Sequence, residues 1–204
     1  AALIRVLFMA FAIVKIYWLP VLVLLSTLSM IGGNLMALRQ TNVKRLLAYS
    51  SIAQAGYMLV GIIAADAAGI KGVLFYTLIY IIANIGAFSV LIAVDKNYGE
   101  AEFSTIAGLG QRAPLLAAVL TISLLSMAGI PPMAGFVGKL YLFTAVVEKG
   151  HLLLAFIGFI MSMISVYYYL QVAKTMYIDK PASSEKIELT FAIRVTVLLS
   201  LIGT

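Results

Sequence analysis

Apolar runs of roughly membrane-spanning length follow one another along this sequence, at about 1–18, 19–38, 43–65, 70–94, 113–149, 151–178 and 188–204. A bilayer core of about 30 Å takes roughly 20 helical residues to cross. Backbone groups in lipid must bond inside a helix or a closed barrel, and these runs lack the period-two alternation of a barrel. The expected fold is all-α, a polytopic transmembrane helical bundle forming one transmembrane domain over 1–204. Composition agrees, since 63% of the 204 residues are hydrophobic, 11% are charged and the mean hydropathy is +1.09.

Several chemistries drop out. There is no cysteine, which removes disulfides, thiolates and cysteine-held clusters, and the single His151 cannot build a metal or haem site alone. The net charge of +6 sits in short loops and forms no basic face for nucleic acid; orientation in a lipid bilayer explains it better. The chain opens on Ala1-Ala2 inside an apolar run and closes on a run barely long enough to span, so it reads as a fragment.

Residues 1–18 read as the tail of a span that ends at Lys15, Tyr17, Trp18 and Pro20. The connection from Asp95 to Pro114 carries an amphipathic piece around Phe103, Ile106 and Leu109, expected along the membrane surface. The tract 113–149 is about 55 Å long as one helix, too long for one ordinary crossing and short for two. A single crossing puts Arg39, Lys44, Arg45, Lys96, Arg112, Lys174, Lys180 and Lys186 on one side and Lys15, Lys71 and Lys149 on the other, eight against three. Two crossings give six against five, a poorer fit to the positive-inside rule. Gly129-Ile130-Pro131-Pro132 is therefore read as a break within one crossing. Its prolines free carbonyls that must face protein or water.

Lys139 follows that break with apolar residues on both sides. An ammonium there is costly unless hydrated or paired. It reads as a titratable proton carrier, with a snorkelling lysine or a structural ion pair as the competing reading. Asp66, Asp95, Glu100, Glu102, Glu148, Asp179, Glu185 and Glu188 all fall at ends or in loops, so none is a mid-span partner. Ser50, Gln54 and Tyr57 share a helix face, as do Tyr76, Tyr80 and Asn84 at steps of four. They suit a hydrated path, or equally helix–helix hydrogen bonding. Arg5 and Arg194 divide between structural and electrostatic roles; His151 reads as interfacial and Tyr167-Tyr168-Tyr169 as an aromatic belt. Gly32, Gly33 and Gly56 suit close helix packing.

Three stretches carry a resemblance: GNLMALRQTNVKRLLAYSSIAQAGYMLVG (Gly33 to Gly61), FSTIAGLGQRAP (Phe103 to Pro114) and SMAGIPPMAGFVGKLYLF (Ser126 to Phe143). They resemble the proton-pumping, antiporter-like membrane subunits of respiratory complex I, NADH-quinone oxidoreductase, and RQTNVKRLLAYSS leans towards the subunit N family, which corresponds to mitochondrial subunit 2. The resemblance implies a fragment, the C-terminal half, of an antiporter-like fold of fourteen helices with two inverted repeats. It matches Gly129, Pro131 and Pro132 to the broken twelfth helix and Lys139 to that helix's proton-transfer lysine. Gln54 departs from the pattern, standing where many relatives carry a histidine; glutamine does not titrate, so its implied role is to orient water. The family's glutamate on helix five and lysines on helices seven and eight would precede Ala1.

The implied function is redox-driven proton translocation, with no cofactor in this chain and with FMN, iron–sulfur clusters and quinone in other subunits of the complex. The implied partners are other membrane-arm subunits, antiporter-like ones among them. The bacterial inner membrane is the expected site, with mitochondrial inner and thylakoid membranes as alternatives. An Mrp-type cation/proton antiporter subunit, the related subunit of a membrane-bound hydrogenase, and a scaffold with an inert Lys139 are the rival readings.

Overall fold

A computed structural model describes residues 2–180. The span expected over 188–204, with Arg194, lies outside the described residues. Six longer helices make the bundle among the described residues: α1 (Lys15–Leu38), α2 (Val43–Ala64), α3 (Ala67–Tyr98), α4 (Pro114–Ala128), α5 (Ala134–Glu148) and α6 (Leu152–Tyr177). Local chemistry sets their ends. The Asn42 side chain accepts the Arg45 N–H at the start of α2, and Asp66 accepts the Gly69 N–H at the start of α3. Pro114 occupies the first turn of α4, where its missing N–H has no helical partner to lose.

Among the described residues, four helices, 12–38 and α2, α3 and α6, are long and apolar enough to cross a membrane. The 15-residue α4 and α5 are about 22 Å each, too short singly. Ion pairs show how they run together. Lys44 pairs with Asp95, joining the start of α2 to the end of α3. Lys149, just past α5, pairs with Asp66 at 2.9 Å, at the start of α3. The α4–α5 pair thus runs antiparallel to α3 and carries the chain once from end to end of the bundle.

Two expectations are corrected. The boundary read at Lys15–Pro20 is not a junction: α1 begins at Lys15 and continues through Pro20, and the irregular turn lies earlier, around Phe11–Val14. Trp18 Nε1 donates to the Phe11 carbonyl at 2.9 Å, so the aromatic and cationic residues mark a helix start. The Asp95–Pro114 connection does not turn its apolar residues outward to lipid. Its Ile106 and Leu109 are fully buried, and the Gly108 N–H donates to the Thr175 carbonyl, which tucks the segment under the bundle end. Arg112 fastens it by donating to the carbonyls of Thr105 and Ala107 and lying 4.8 Å from the Tyr98 ring centroid.

Helices α1 and α2 touch through glycine. A Cβ on Gly33 would come 2.5 Å from the Ala53 amide nitrogen, and one on Gly56 would come 2.8 Å from Met30 Cγ. Gly32 has open space around it and does not share this role. The apolar core divides in two. One cluster holds Leu46, Leu47, Val90, Leu116 and Val172, the other Met30, Val60, Ile63, Val73, Leu142 and Val146. Asn34, Ser50, Gln54, Lys139 and Ser165 are buried near the join between them. A polar layer therefore crosses the middle of the bundle.

Candidate functional site

The site starts from two missing protons. In a continuing helix the carbonyl of residue i accepts the N–H of residue i+4, but the partners of Met127 and Ala128 would be Pro131 and Pro132. The helix ends at Gly129, whose φ of 79° is a left-handed conformation that a side chain would strain. There the Gly129 N–H reaches the Ser126 carbonyl at 3.0 Å and the Ile130 N–H reaches that of Leu125 at 3.2 Å. Two of the last four carbonyls are so satisfied. The other two turn to side chains: Gln54 Nε2 donates to the Met127 carbonyl at 3.1 Å, and Lys139 Nζ to that of Ala128 at 2.9 Å.

Lys139 is 4% exposed. Its Nζ also donates to Ser162 Oγ at 2.9 Å, and Ser162 Oγ in turn reaches the Ala128 carbonyl at 3.3 Å. The Tyr57 ring covers the amine, with its centroid 4.6 Å from Nζ. All these partners are neutral. Among the described residues no carboxylate pairs with Lys139.

Gln54 is the hub of the adjoining network. Tyr76 donates to Gln54 Oε1, and Gln54 Nε2 lies 3.4 Å from the Tyr169 hydroxyl, beside which Ser50 also lies. A second branch runs through Asn34: its amide nitrogen donates to the Tyr57 hydroxyl at 3.2 Å, and its carbonyl accepts from Tyr168 at 2.9 Å. Ser50, Gln54, Tyr57 and Tyr76 are thus brought together around the break. Tyr80 and Asn84 are only half-buried, and Tyr80 lies beside Asn84 and Ser51. The reason is geometric, because each four-residue step turns about 40° around a helix of 3.6 residues per turn.

The aromatic-belt reading is corrected for two of three tyrosines. Tyr167 is 65% exposed, whereas Tyr168 and Tyr169 are buried in the polar layer. Consecutive helical residues lie about 100° apart, so three in a row cannot share a lipid face. Asn34 and Ser162 were not singled out from sequence. The available signals were an amide beside Gly33 and the hydroxyls of Ser162 and Ser165 one turn apart in α6. His151 is half-buried just before α6, and Arg5 is exposed. No group of three His, Cys, Asp or Glu side chains gathers among the described residues.

At the Lys149 end, Asp66 lies outside the membrane-spanning helices. Its carboxyl is held below the ordinary value of 3.8, first by the Gly69 N–H and then by Lys149.

Residues 1–165 match the family described as NADH:quinone oxidoreductase/Mrp antiporter, TM. The chain is 54% identical over 187 residues to NADH-quinone oxidoreductase subunit N of Heliobacterium modesticaldum, covering 92% of this chain and 40% of that protein. It is 51% identical over 204 residues to subunit N of Desulforamulus reducens, covering 100% and 43%. The chain thus spans about two fifths of the length of these relatives. Among solved structures it is similar to a chain of respiratory complex I from Thermus thermophilus, with a TM-score of 0.79 and 34% identity, covering 90% of this chain and 43% of that one. A chain of the Mrp complex from Dietzia gives a TM-score of 0.77 at 28% identity, covering 81% and 31%.

Proposed function

This chain belongs to the NADH:quinone oxidoreductase/Mrp antiporter transmembrane family, and on that premise we propose that it forms part of a proton-translocating membrane-arm subunit of a respiratory NADH:quinone oxidoreductase. Lys139 holds and releases the transferred proton. The observation that carries this reading is a buried amine held only by neutral partners, a carbonyl, a hydroxyl and a ring face.

Those partners suit either protonation state. An ammonium has three N–H donors, and the Ala128 carbonyl, the Ser162 hydroxyl and the Tyr57 ring receive them. A free amine has a lone pair, and the Ser162 hydroxyl can turn from the Ala128 carbonyl to donate to it. The heavy atoms need not move for the proton to leave. An opposite charge brought near favours the ammonium, and its withdrawal favours the amine. Charge displacement along the membrane arm thereby becomes proton uptake or release.

In this reading FMN, iron–sulfur clusters and quinone reside in other subunits, and this chain contributes no redox centre. Its partners are the other membrane-arm subunits, including antiporter-like ones, in a bacterial inner membrane. The Lys139→Ala variant, assembled in the complete complex, should lose proton pumping or quinone-linked turnover while still assembling; normal pumping would sink the proposal.

A second reading, an Mrp-type cation/proton antiporter subunit, is favoured by the comparable likeness to the Mrp chain. Affinity purification of the full-length protein separates the two. Recovery of quinone-reducing peripheral subunits supports the first, and recovery of small Mrp membrane subunits the second.

A further inference from the structure

A groove of about 600 Å³ runs between α3 and α5 on the outside of the described bundle. Ala68, Phe75, Val137 and Tyr141 line its apolar length, and Lys71 and Glu148 flank its mouth. The mouth lies at the end of the bundle where Lys149 pairs with Asp66. Those two neutralise one another. Among the described residues, Lys71 and Glu148 make no ion pair, with each other or with any other group. An apolar slot thus opens on two uncommitted, opposite charges.

Its dimensions and position suit a lipid. From Glu148 to Val137 is eleven residues of helix, about 16 Å, close to half of a bilayer core of about 30 Å. Glu148 ends α5 and Lys71 sits in the second turn of α3, the level at which headgroups lie. We propose that this groove binds one zwitterionic phospholipid with a primary-ammonium headgroup. An acyl chain lies along Phe75, Tyr141 and Val137, Lys71 takes the phosphate, and Glu148 accepts hydrogen bonds from the ammonium. Glu148 disfavours an anionic lipid, because its carboxylate would face the added negative charge. A quaternary ammonium could not donate to it.

The test uses the complete, purified complex and two photoactivatable lipids with a diazirine in the acyl chain, one phosphatidylethanolamine and one phosphatidylglycerol. The ethanolamine lipid should label peptides containing Phe75, Val137 or Tyr141, by roughly three- to tenfold over the glycerol lipid. The Lys71→Gln/Glu148→Gln double variant, altered only at exposed positions, should label equally with both lipids. Ala68→Trp, which fills the mouth and keeps both charges, should lose labelling by either. Equal labelling of the unaltered complex by the two lipids, absence of label from the groove, or cross-links placing another polypeptide segment there would overturn the proposal.

Discussion

Lys139 Nζ donates to the Ala128 carbonyl at 2.9 Å, and that carbonyl is left free by its own helix because residue 132 is a proline. The lysine and the break are therefore one device. The same holds one residue earlier, where Pro131 frees the Met127 carbonyl for Gln54. A broken helix in lipid is tolerable only where such partners exist.

Gly129→Ala tests the turn that aims these carbonyls. A left-handed conformation costs a residue with a Cβ about 1–2 kcal/mol. The added Cβ would also stand 2.9 Å from Lys139 Cδ, which has to give way. We expect a lower thermal denaturation midpoint of the membrane arm and slower quinone-linked turnover. An unchanged midpoint would contradict the assigned turn.

Gln54→Leu removes the donor to the Met127 carbonyl and the acceptor for Tyr76. Each buried group left unpaired costs about 1–3 kcal/mol, so stability in thermal unfolding should fall clearly. Gln54→His keeps one donor and one acceptor and should lie closer to the unaltered protein. It also introduces a group titrating near 6.5 in its unperturbed state, so the turnover–pH profile should gain a new limb.

The outline of the fold was legible because lipid leaves few choices. Long apolar runs mean helices, and two consecutive prolines after a helical run mean freed carbonyls at its end. Lys139 stood out for the same reason, as a charge among apolar neighbours. Its partners did not stand out, because Ala128 offers only backbone and Ser162 is an ordinary hydroxyl 23 residues away. Tyr168 and Tyr169 were hidden by Tyr167, whose exposed ring is typical of a membrane interface. The start of α1 was misplaced since Lys15 to Pro20 has the composition of a boundary, and only the turn at Phe11–Val14 shows on which side the helix lies.

Asp66 supplies a pH prediction. Its native carboxyl titrates below its ordinary value of 3.8, because the Gly69 N–H and Lys149 favour the ionised form. The resulting stabilisation is present above 3.8 and is lost as pH falls through the lower native value. Asp66→Asn keeps a good helix cap but cannot ionise. In thermal melts of the complex the variant should differ little at neutral pH, by about 0–1 kcal/mol, and its deficit should vanish in acid. A deficit that grows on acidification would contradict the assignment.

The central claim is that Lys139 carries the proton, and Lys139→Gln in the complete complex tests it most directly. Glutamine retains a hydrogen-bond donor for the layer but cannot exchange a proton near neutral pH. With the purified complex in sealed vesicles, protons moved per NADH oxidised should fall below the unaltered ratio while the subunit content stays the same. An unchanged ratio at unchanged turnover would contradict the account.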